Sequence, residues 1–116
     1  ALAVAEHYHS APGIAIHSRT ARLAGLGIDE VGLAREWESR DPREAALLRF
    51  LKPLVTQRDN CPQHLNEEAK EAGWTDEQLL EAIAVLSLEC FTAMVNVAGE
   101  IPVDGSGEET RVLKAA

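Results

Sequence analysis

The residues best suited to chemistry lie near the start of the chain, in Glu6-His7-Tyr8-His9-Ser10-Ala11-Pro12-Gly13, followed one turn later by His17. Pro12 marks a helical first turn, where its missing N–H would find no partner anyway. Ser10 is therefore an N-cap candidate whose hydroxyl accepts the Gly13 N–H, because Pro12 has none to offer. His17 follows Gly13 by four residues, on the same helix face and roughly 6 Å away. Two turns separate Ser10 from His17, too far along one helix for a direct hydroxyl–imidazole bond, so Ser10 reads as a cap before it reads as a nucleophile. His17 has two readings. It is a proton-transfer or ligand-binding group, or a helix histidine satisfied by packing or by a neighbouring carboxylate. Glu6, Tyr8, His9 and Gly13 surround these two as candidate binding residues, Tyr8 serving either as a lid over the core or as a pocket hydroxyl.

The same segment can be tested for a metal. Glu6 and His9 are three residues apart on a helix and could chelate, with His17 arriving across the turn as a third ligand. Such groupings are more often solvated helix ends, and neither a metal nor any other cofactor is expected. Glu89 is a further candidate binding residue, within the apolar run Leu86-Ser-Leu-Glu-Cys-Phe91. A carboxylate there is costly unless paired, so it is either the partner of an arginine such as Arg19 or Arg49, or an acid in a pocket. Cys61 and Cys90 stand 29 residues apart, with no metal or redox spacing. Cys90 reads as a small buried apolar residue. Cys61, ahead of Pro62, takes an N-cap-like position that would lower its pKa. Trp37 and Trp74 read as packing residues, and Glu67, Glu68, Lys70 and Glu71 as a solvated face.

The elements that must hold these residues are all helical. Ala1–Tyr8 ends one helix, and a second runs from about Ala11 to Ala24 with Gly25 as its stop. A short weak helix covers Asp29–Arg35. Asp41-Pro42 opens another, with Ala45, Leu48, Leu51, Leu54 and Val55 at helical spacing and a kink or break predicted near Pro53. Arg58–Asn60 is a turn, and Cys61-Pro62 starts a polar helix ending at Gly73. Thr75 and Gln78 form a capping box for the longest helix, which runs to Gly99. Its apolar residues cover nearly all sides, so it is expected to be a core helix buried all round, and Glu81 and Glu89 speak against a membrane span. Residues 21–31 and 69–79 echo each other at an offset of 48, hinting at two packed helical hairpins. A compact all-α bundle over residues 1–104 is predicted, followed by an acidic linker and tail over 105–116.

Composition narrows the function. The chain has 116 residues, enough for one domain, and 11 basic against 19 acidic residues give a net charge of −8. That argues against nucleic acid and anionic membranes as partners, since both need a clustered positive patch. Two cysteines and no visible signal peptide make the cytoplasm the expected location. The chain opens without Met in helical idiom, so a segment upstream of Ala1 is expected.

Three segments together resemble the alkylhydroperoxidase D-like branch of the carboxymuconolactone decarboxylase superfamily: IHSRTARLAGL at 16–26, DPREAALLRFLKPLV at 41–55 and EAGWTDEQLLEAIAVLSLECFTAMVNVAGEIPVD at 71–104. The resemblance implies an all-helical fold and homo-oligomers built around shared helices. Peroxidase-related members carry Cys-x-x-Cys-x-x-x-His at the start of the helix matching 11–24. His17 stands at that His, Gly13 at the second Cys and Ser10 at the first, while the upstream acid would fall before Ala1. A dithiol reduction of peroxide cannot run at this site without its sulfurs. What the resemblance leaves is proton transfer through His17 on a small acidic or carbonyl-bearing substrate, as in the decarboxylase branch. The alternative is a catalytically silent oligomer that binds a small ligand or partner, and the least favoured is residual thiol peroxidase activity through Cys61 or Cys90.

Overall fold

The computed structural model describes residues 1–57 and 61–103, so the expected turn at 58–60 and the tail at 105–116 lie outside the described residues. Six helices are present there and no strand: α1 (Leu2–His7), α2 (Ala11–Leu23), α3 (Ile28–Arg35), α4 (Pro42–Thr56), α5 (Gln63–Glu71) and α6 (Asp76–Ala98). The fold is the predicted all-α bundle. Local chemistry sets most of the boundaries. Ser10 caps α2 by accepting the Gly13 N–H, and the Asp41 carboxylate caps α4 by accepting from the Arg43 and Glu44 N–H groups. Thr75 and Gln78 complete the capping box of α6 in both directions.

The echo at offset 48 has a local cause. After α2, Gly25 takes φ +100°, its N–H reaches the Arg22 carbonyl and the Leu26 N–H reaches Ala21. After α5, Gly73 takes φ +101°, its N–H reaches Lys70 and the Trp74 N–H reaches Ala69. Both are the same left-handed C-terminal turn, closed by a large apolar residue just beyond it.

Four expectations are corrected. Pro53 lies inside α4, which continues through it without a break. Pro62, not Cys61, is the N-cap of α5. Gly99 is right-handed at φ −81°, and the positive φ that ends α6 falls on Glu100. Most consequential, α6 is not buried all round. It buries Leu79, Leu86 and Ala93, while Leu80, Val85, Leu88, Phe91, Met94 and Val97 are exposed. Hydropathy reports how much apolar surface a helix carries, not how many neighbours the chain can place around it. Here α6 packs against α1, α4 and α2 on one side only.

The densest part of the core belongs to α1 instead, whose Leu2, Ala3, Val4 and Ala5 are all buried. This short helix touches α2, α3 and α6. Its small side chains let three helices approach at once, and Trp37, Phe50, Leu51 and Ala69 complete the cluster. Trp74 adds a clamp at the rim, donating Nε1–H to the Arg43 carbonyl at 2.8 Å while the Arg43 guanidinium lies 4.2 Å from its ring centre.

Candidate functional site

The site forms where α2 crosses α6. His17 Nε2 lies 3.0 Å from Glu89 Oε2, and Ser10 Oγ accepts from Asn96 Nδ2 at 3.3 Å as well as from the Gly13 N–H at 3.3 Å. Seven residues separate the two partners on each helix, which places the helices antiparallel with two cross-links about 10 Å apart. The His17 and Glu89 side chains are 26% and 21% exposed, so the pair is sheltered but within reach of solvent. Among the described residues Glu89 has no arginine partner. Arg19 is exposed on another face of α2, and Arg49 pairs with Glu68 at 3.7 Å. Helical periodicity explains the outcome: two residues past His17 the side chain has swung about 200° away from α6.

Ser10 is 1% exposed and its oxygen accepts two hydrogen bonds. It ties α2 to α6 and stands out of reach of a substrate. Gly13 is required by packing, because a Cβ there would come within 2.9 Å of Ser10 Oγ and 3.0 Å of Ala5 Cβ. Position 13 therefore takes no side chain unless Ser10 or Ala5 moves aside.

Two spaces meet at His17. One is a void of about 10 Å³ among Ser10, Gly13, His17, Glu89, Thr92 and Asn96, about one water in size. The other is a half-open cleft of about 520 Å³, walled mainly by apolar residues including Ala21, Trp37, Leu47, Leu51 and Leu86. Among the described residues lining the cleft, His17 is the one with an ionisable side chain. Thr20 also reaches the cleft, but its hydroxyl donates to the Ile16 carbonyl at 2.9 Å.

Glu6, Tyr8 and His9 are not brought to either space. Glu6 accepts from Arg35 Nε at 2.8 Å, which occupies the carboxylate proposed as a ligand, and His9 is exposed on a left-handed backbone of φ 54°. Among the described residues no group of three or more His, Cys, Asp or Glu converges on a metal-sized point. Tyr8 packs on the core and hydrogen-bonds the Cys90 thiol. Burial pushes Cys90 above the ordinary thiol value, with the Tyr8 bond pulling part of the way back. Cys61 is also raised by burial, the reverse of the expected lowering, and its thiol faces the Phe50 carbonyl at 3.8 Å.

Sequence reasoning missed Thr92 and Asn96. The signal was present: Glu89, Thr92 and Asn96 follow at steps of three and four in the largely apolar second half of α6, one polar stripe matching Ser10, Gly13 and His17 on α2. Compared with protein-family models, with curated proteins and with solved structures, the chain has no match.

Proposed function

We propose that the chain is an enzyme of the alkylhydroperoxidase D-like kind that has given up thiol chemistry, and that its His17–Glu89 pair moves a proton on a small carbonyl-bearing molecule held in the apolar cleft. The observation that carries this reading is the 3.0 Å contact between His17 Nε2 and Glu89 Oε2 at the wall of that cleft. With Nε2–H donated to Glu89, the lone pair of the neutral ring sits on Nδ1, the nitrogen free to act as base. In the step proposed, the C–H bond beside the carbonyl breaks, its electron pair moves onto the carbonyl oxygen as an enolate, and the proton joins Nδ1. Glu89 then faces an imidazolium, which its charge stabilises, and return of the proton to carbon restores the ring.

The cleft's apolar lining favours an uncharged or singly charged substrate with an apolar body over a polyacid, since the described residues that line it include no lysine or arginine. Ser10 serves as cap and tie. Deuterium uptake from heavy water by a panel of small ketones and β-keto acids, followed by proton NMR, tests the reading. Exchange that needs the protein and disappears in His17→Ala supports it, and equal exchange in wild type and variant sinks it. Ligand binding without turnover is the second reading, favoured by the cleft's volume alone. It predicts saturable uptake of an apolar fluorophore with no exchange.

A further inference from the structure

The links between α2 and α6 repeat at a fixed step. Ser10 meets Asn96 and, seven residues on along each helix, His17 meets Glu89. A third step of seven falls on Ala24 and Ala82, and both of these line the apolar cleft. Two methyl groups at that level cannot bridge the helices as the earlier pairs do, and the cleft occupies the gap they leave.

The lining shows which way the cleft runs. On α2 its wall is made by His17, Thr20, Ala21 and Ala24, one face of a helix, and on α6 by Ala82, Val85 and Leu86. From His17 to Ala24 this wall extends roughly 10 Å along the helix axis. Polarity is confined to one end. His17 stands there with Glu89 behind it, while the Thr20 hydroxyl further along already donates to the Ile16 carbonyl. The floor is fixed by Trp37, 8% exposed on a left-handed backbone of φ 64°, a conformation that persists in a tryptophan only where packing holds it.

We infer that the cleft takes an unbranched aliphatic carbonyl compound lying lengthwise between α2 and α6, its uncharged head at His17 and its tail against Ala24 and Ala82. Placing the head at His17 rests on the proton-transfer reading, whereas the length of the tail rests on the cleft alone. An extended alkyl chain advances about 1.25 Å per carbon, so a tail of roughly eight carbons covers the wall. Negative charge on Glu89 beside the head position, with no lysine or arginine among the described lining residues, disfavours a carboxylate. Trp37 is the one large aromatic side chain among those residues, so a flat aromatic ligand finds no second ring to stack against. Ala24 and Ala82 are then the specificity-determining positions, since the side chains there set where the tail leaves the wall.

Titration of the full chain with a 2-alkanone series of about five to fourteen carbons tests the inference. Binding is read by calorimetry and by Trp37 fluorescence in Trp74→Phe, Trp74 lying outside the cleft. Affinity should rise about 4-fold with each carbon while methylenes are still being buried, then level off at roughly ten carbons in all, where the tail passes into water. Ala82→Leu fills the far end and should move that break shorter by about two carbons, leaving the short ketones within about 2-fold. Ala24→Leu gives the same shift and decides the matter if Ala82→Leu does not fold. An affinity that climbs through the whole series, or a break that neither variant moves, overturns the inference. So does tighter binding of decanoate, or of a naphthyl ketone, than of 2-decanone. Intermolecular NOEs should join the acetyl methyl to the His17 ring and the terminal methyl to Ala24 or Ala82, and the reverse pattern overturns the orientation. A break in affinity without deuterium exchange leaves the tail assignment standing and removes the proton-transfer reading; exchange without a break does the opposite.

Discussion

Glu89 decides what His17 can do. Its Oε2, 3.0 Å from His17 Nε2, is placed to hold the ring with Nδ1 as the base in the proposed step, so Glu89→Gln leaves the geometry nearly intact but removes the charge that would face an imidazolium. Where exchange is found, Glu89→Gln should slow it by about 10- to 100-fold and His17→Ala by more, with melting temperatures little changed. Gly13 is the counterpart on the packing side. Gly13→Ala drives a methyl into Ser10 and Ala5, an overpacking expected to cost about 1–3 kcal/mol in urea denaturation; a neutral or stabilising result would show that α1 and α2 can separate freely. The thiols give a pH dependence. Because burial raises Cys61 and Cys90, the folded state holds their protons longer than the unfolded chain. Their contribution to stability is complete below the ordinary thiol value and is lost as pH rises through the higher folded one. Iodoacetamide should accordingly label native protein slowly near neutrality, and the melting temperature should fall above pH ~9, less steeply in Cys90→Ala.

At the scale of elements, α2 and α6 are joined by two polar links in a contact whose other members are mostly small. Ser10→Ala removes the cap and one end of the Asn96 link together. It should cost about 1 kcal/mol or somewhat more. Asn96→Ala removes the other end of the same bond, so the double variant should lose less than the two single losses combined; strict additivity in chemical denaturation would show that the 3.3 Å contact carries no coupling. The cap at Ser10 was legible because capping acts over three residues. The same holds for Asp41, Thr75 and the left-handed glycines at 25 and 73. Asn96 and Glu89 were harder to place, since which residue of α2 each would meet depends on the angle and offset of two helices separated by most of the chain.

At the scale of the molecule, a chain of net charge −8 carries its own repulsion. Raising sodium chloride from ~20 mM to ~500 mM should therefore raise the melting temperature, as screening weakens that repulsion. A melting temperature that falls with salt would mean that surface ion pairs such as Lys70–Asp76 outweigh it.

Periodicity, caps and turn residues were enough to establish that the described chain is helical and where most of its helices begin and end, the start of α5 and the last turn of α6 excepted, because these are short-range effects carried by neighbouring residues. They also placed Ser10, Gly13 and His17 on one helix face. Which carboxylate would reach His17, that position 13 would be closed by Ser10 and Ala5, and that the most apolar helix would keep half its circumference exposed were settled only by tertiary packing. Those outcomes depend on how many neighbours a small bundle can set around each helix, and no local pattern records that number.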